Sequence, residues 1–153
     1  MCRHLAYLRY VLRHKWFVLV AGIALGVPLW RLLVHDLSKF RPSEWFPYAR
    51  CFYNPDGTGR YDQSFAFAVA WNAHQKRNPH HWQYWILTWD NGGSDLLPMP
   101  DACLRELLAD WMGASRAIHG KSSPREWYAQ NRDRIKLSPS TRKDLEKMME
   151  AIH

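Results

Sequence analysis

Apolar residues recur along this chain at the i, i+3, i+4 and i+7 spacing of a helix face almost from end to end, and strict two-residue alternation is hard to find. That periodicity argues against a sheet-based core. It predicts an all-α fold, a compact helical bundle of about six to eight helices. The 153 residues are most simply one domain, 1–153, long enough to bury roughly two thirds of the unfolded surface.

Breakers divide the pattern. A first helix is expected over His4 to Leu25, stopping at Gly26 and Pro28, and a second over Leu29 to Phe40. Pro42 opens a third at its first position and runs toward Tyr53. After the turn-rich stretch Asn54 to Arg60, NPDGTGR, a helix from Asp62 to Lys76 breaks at Asn78 and Pro79, and a short aromatic helix spans His80 to Trp89. A loop from Asp90 to Met99 leads to a long helix from Pro100 to His119, closed by Gly120. Amphipathic helices near Pro124 to Arg134 and Ser140 to Ile152 pack as a C-terminal extension, about residues 124–153.

The formal charge of +7 favours anionic partners, phosphorylated small molecules among them. Lys and Arg are dispersed, so no dedicated nucleic-acid arm is expected. Cys2, Cys51 and Cys103 are odd in number and form no CxxC, as free thiols of a reducing, cytoplasmic compartment would. Trp16 to Trp30, WFVLVAGIALGVPLW, is uncharged, but it is shorter than a span requires and is interrupted at Gly26 and Pro28. A buried helix is expected there, with no membrane span.

Within this apolar frame sit polar residues that packing alone would not select, because a buried polar group without partners costs a few kcal/mol. LVHDLSKF, residues 33–40, sets His35 against Asp36 and places Lys39 three residues on. His14 lies between Leu12 and Trp16, His74 follows FAVAWNA, His80 and His81 open WQYWIL, and Asp110 sits in ELLADWMGA. A single histidine on an apolar face is ordinarily satisfied by a backbone carbonyl. Five imidazoles with two carboxylates instead suit one or two divalent transition ions, with Fe, Mn, Zn, Ni and Co not distinguished by nitrogen and oxygen donors. Neighbours on a helix point about 100° apart. His35 and Asp36 therefore share an ion only if it lies between their faces, with Asp36 free to extend its second oxygen to another.

The order His, His-Asp, His, His-His, Asp resembles the HD superfamily of metal-dependent phosphohydrolases, particularly its dinuclear branch, and HDLSKF is similar to the HD-x-x-K form common there. The resemblance implies an HD-type bundle, with His14, His35, Asp36 and Asp110 as the core ligands and His74, His80 and His81 as candidates for a second ion. Two departures stand out: the GYP signature of the HD-GYP branch is absent, and His74 is close in sequence to His80 where that branch separates them. His80 or His81 is then an alternative substrate contact. From His14 to Leu137 the chain also resembles a small uncharacterised family of phage and bacterial proteins, through the blocks HKWFV, HDLSKF, NPHHWQYW, LPMP, ADWMGA and WYAQNRDRIKL.

What the HD resemblance implies is hydrolysis of a phosphate ester, in which metal ions polarise a phosphoryl oxygen and bring the pKa of water toward neutrality. Asp36 and Lys39 are the expected catalytic residues: Asp36 bridging ions or orienting water, Lys39 clamping phosphate as a point charge. Trp82, Gln83 and Tyr84 combine stacking faces with hydrogen-bonding tips suited to a nucleobase, and Arg77 is placed for phosphate oxygens. The expected partner is a small anionic phosphorylated substrate, a nucleotide foremost, with a homo-oligomer left open. Three alternatives stand beside this reading: an HD-type di-iron oxygenase, a non-catalytic helical binding or anti-defence module, and a membrane-associated protein using Trp16 to Trp30.

Overall fold

The computed structural model describes residues 1–121 and 123–152; His153, to which the sequence assigns no role, lies outside them. Helix α1 (Arg3–Ala24) turns Tyr7, Val11, His14, Val18 and Gly22 inward. Gly26, at φ +72°, reverses the chain, and Pro28 leads into α2 (Leu29–Val34). The helix expected to continue to Phe40 stops here. Asp36 adopts φ 58° and ψ 17°, and a 3-10 turn covers Leu37–Phe40. Asp is among the few residues that tolerate the left-handed region. The break removes the 100° divergence between helical neighbours and aims His35 and Asp36 at one place.

Pro42 opens α3 (Pro42–Phe52) as its sequence position predicts. Ser64 caps α4 (Phe65–Arg77) by accepting from the Phe67 N–H, so this helix begins three residues after Asp62. The aromatic stretch after Pro79 is not an α-helix. Trp82–Trp85 forms a 3-10 turn, followed by an antiparallel hairpin of β1 (Ile86–Thr88) and β2 (Ser94–Leu96) that pairs Leu87 with Asp95. Asn91-Gly92, with Gly92 at φ +83°, is the turn chemistry that favours a hairpin over helical continuation.

Helix α5 (Asp101–His119) is closed by Gly120 at φ +76°, and α6 (Pro124–Asn131) and α7 (Pro139–Glu150) follow. Ser138 caps α7 through the Thr141 N–H. The fold is all-α as the periodicity predicts, with seven α-helices and one small hairpin among the described residues.

Helices α1 and α5 form the central pair. They approach so closely that a Cβ on Gly113 would lie 2.8 Å from the Val18 backbone nitrogen. One apolar cluster joins α1, α3 and α4 through Tyr7, Val11, Tyr48, Ala49, Phe67 and Ala70. Another joins α5 to α6 and α7 through Leu104, Leu107, Leu108, Tyr128, Leu145 and Met149. The inward polar residues lie between these two clusters. The stretch Trp16 to Trp30 is half-buried rather than buried: Val18, Gly22 and Val27 face inward, whereas Trp16, Val20, Ile23, Leu29 and Trp30 are exposed. No helix among the described residues is long and apolar enough to cross a membrane. All three cysteines are free.

Candidate metal centre

Three helices and two chain breaks converge on one buried point. His14 comes from the middle of α1, His35 and Asp36 from the break after α2, His74 from the last turn of α4, His80 and His81 from the turn beyond Pro79, and Asp110 from α5. All seven residues read from the sequence as candidate ligands are thereby brought together.

Asp36 is the hinge of the arrangement. Its Oδ1 lies 3.2 Å from His74 Nε2 and 3.5 Å from His80 Nε2. Its Oδ2 lies 3.2 Å from His14 Nε2 and 3.5 Å from His35 Nε2. Asp110 Oδ1 completes the second set, 3.1 Å from His14 Nε2 and 3.4 Å from His35 Nε2. Two ligand groups result, Asp36–His74–His80–His81 and His14–His35–Asp36–Asp110, each with one donor atom per residue within 4.8 Å of the others.

The donor set fits a pair of metal ions. Ligand atoms bonded at about 2.1 Å to a common ion stand roughly 3–4 Å apart, the spacing found here. The Nε2 atoms of His14, His35, His74, His80 and His81 and Asp36 Oδ1 are buried without a hydrogen-bond partner, while Asp36 Oδ2 meets the Lys39 ammonium at 2.6 Å. The Nε2 atoms of His14, His35, His74 and His80 stand 3.2–3.5 Å from the Asp36 oxygens with no hydrogen bond between them. Buried polar atoms are nearly always satisfied, so these six, facing one another, form a group that could hold a metal ion.

Two carboxylates absent from the sequence reading hold the rings in place. Glu106 Oε1 accepts from His35 Nδ1 at 2.9 Å and lies 3.2 Å from His80 Nδ1, while its Oε2 takes the Arg31 guanidinium at 2.8 Å. Glu44 Oε2 accepts from His74 Nδ1 at 2.9 Å and from the Ser38 hydroxyl at 2.8 Å. An ionised carboxylate only accepts, so an Nδ1 bonded to it is a donor, and a ring that is neutral then carries its lone pair on Nε2, toward Asp36. His35, His80 and Glu106 also satisfy a three-ligand spacing. We assign that trio to ring orientation, because the His35 Nδ1–Glu106 contact is already formed as a hydrogen bond.

Electrostatics follow from burial and counter-charge. Burial pushes the Asp36 carboxyl up, but Lys39, His35, His14 and His74 outweigh it and hold it well below the usual range. Asp110 is likewise pushed up by burial and brought well down by His14 and His35. Glu106, raised by burial and lowered by His35 and His80, ends at about 2. Burial, followed by the neighbouring His80, drives His81 well below the ordinary imidazole value, which keeps it a neutral donor.

The other predicted site residues divide. Lys39 Nζ stands 2.6 Å from Asp36 Oδ2 with its side chain 13% exposed, at the rim of the centre. Arg77, expected on phosphate, is engaged instead with Glu44 Oε1 at 2.6 Å, because that buried carboxylate needs a counter-charge. The NPHHWQYW block splits as well. Trp82 and Trp85 pack against the α5–α7 cluster, and Tyr84 is exposed. Gln83 lines a cavity of about 340 Å³ with His81 and Asp110.

Sequence reasoning missed Glu44 because an acid in a first helical turn reads as a dipole partner. Glu106 did carry a signal. It lies one turn before Asp110, on the same face, among the buried leucines 104, 107 and 108.

No curated protein matches the chain, and no solved structure does. The whole centre falls within residues 3–151, over which the sequence matches a family of unknown function, DUF5662, and the chain belongs to that family.

Proposed function

We propose that this protein is a metal-dependent phosphohydrolase of HD type, acting on a nucleotide or a similarly small phosphorylated compound. The observation that carries the reading is Asp36, whose two oxygens each face a separate group of imidazoles. Bound divalent ions supply Lewis acidity to a phosphoryl oxygen and lower the pKa of water. The chain's own residues do the rest. Glu44 and Glu106 hold three rings in the coordinating tautomer, Asp36 links the two ligand groups, and Lys39 presents an ammonium at the rim, where an anionic ester arrives.

The test is metal analysis of the purified protein, followed by phosphate release from p-nitrophenyl phosphate and nucleoside monophosphates after loading with Fe, Mn, Co, Ni or Zn. Two ions per chain and turnover that Asp36→Asn abolishes are expected. Two tightly held ions with no phosphate released under any of the metals would refute the hydrolase reading. Oxygen uptake by the iron-loaded protein would assign the centre to dioxygen chemistry instead.

A further inference from the structure

Beside the metal centre, α1, α3 and α4 enclose a cleft of about 350 Å³. Lys39 belongs both to its wall and to the rim of the centre, since its ammonium reaches Asp36 Oδ2. Tyr7 and Tyr48, also on the wall, have hydroxyls that are buried and without a hydrogen-bond partner. Those two side chains are only 1% and 4% exposed. Burial raises both phenols, so they remain protonated donors. Phe52, Tyr61 and Trp71 supply apolar aromatic faces, and the Trp71 ring stacks on the ligand His74, with centroids 5.8 Å apart.

We infer that this cleft, and not the Trp82–Tyr84 block, is where substrate docks, taking a phosphate monoester that carries a single planar aromatic group, such as one nucleoside monophosphate. A cation and two unpartnered hydroxyls beside the metal centre suit the phosphate and the oxygens near it, and the aromatic faces suit a base. The volume lies at the lower end of ligand pockets, which matches one nucleoside rather than two. The cavity at Gln83 and Arg134 also borders the centre, but it does not include Lys39.

This assignment rests on the proposed phosphohydrolase activity, and a binding measurement separates the two. The phosphonate analogue of adenosine monophosphate, which resists hydrolysis, and inorganic phosphate are titrated calorimetrically into the metal-loaded full chain. The nucleotide analogue should bind at least about tenfold more tightly than phosphate, as base stacking on aromatic side chains provides. Tyr61 is 67% exposed, so Tyr61→Ala leaves folding intact. It should remove most of that preference without changing phosphate affinity, and Tyr61→Phe should restore it.

Equal affinity for the two probes, or loss of the preference on Arg134→Ala but not on Tyr61→Ala, overturns the docking site. If phosphate release is nonetheless seen in the activity assay, the hydrolase reading stands alone. Tyr61-dependent nucleotide binding without phosphate release under any metal supports the docking site and removes the hydrolase reading.

Discussion

The two outer carboxylates make a prediction that separates a two-ion centre from a loose polar cluster. Glu106 holds one ring from each ligand group, His35 from one and His80 from the other, whereas Glu44 holds only His74. Glu106→Gln preserves volume and leaves an acceptor but removes the charge. Losing such an orienting partner typically weakens metal affinity 10–100-fold, or about 1.4–2.8 kcal/mol per ion. Glu106→Gln should therefore weaken both ions, and more strongly the one at His35, whose contact is shorter, 2.9 Å against 3.2 Å. Glu44→Gln should weaken only the ion at His74. Chelated protein titrated with zinc against a chromophoric competitor resolves the two constants, and circular dichroism verifies the fold. Equal effects of Glu44→Gln on both constants, or no effect of Glu106→Gln on either, would refute the assignment of rings to groups.

Asp36→Asn keeps the size of the side chain and tolerates the left-handed backbone, so the fold should persist while both ions are lost, read as metal content after gel filtration. Gly113→Ala forces a methyl to within 2.5 Å of Val18 Cγ2 and 2.8 Å of a backbone nitrogen that cannot move aside alone. It should cost about 1–3 kcal/mol and lower the Tm by roughly 2–10 °C, and an unchanged Tm would show that α1 and α5 are less tightly joined than described. Glu106 has a folded value of about 2 against an ordinary 4.5, so its contribution to the chelated protein is complete above about pH 4.5 and lost as pH falls toward 2. Thermal melts from pH 5 to pH 2 should accordingly decline less steeply for Glu106→Gln than for the parent chain.

The sequence alone determined the elements whose signals are local. Apolar spacing, Pro42 and Gly120 set helix faces and ends that need no distant partner. It also exposed the seven inner donors, because a histidine or aspartate on an apolar face conflicts with its own neighbours in the chain. Tertiary structure decided what depends on direction. The left-handed turn at Asp36 emerges only where His35 and Asp36 must face one centre, and Trp82 and Trp85 go to the core because α5 to α7 offer them a surface. Glu44 and Glu106 lie 30 and 71 residues from the rings His74 and His35 they hold, and nothing in their local sequence specifies those rings. A buried carboxylate is stabilised by whichever donors folding brings within about 3 Å, and periodicity along one helix carries no record of that distance.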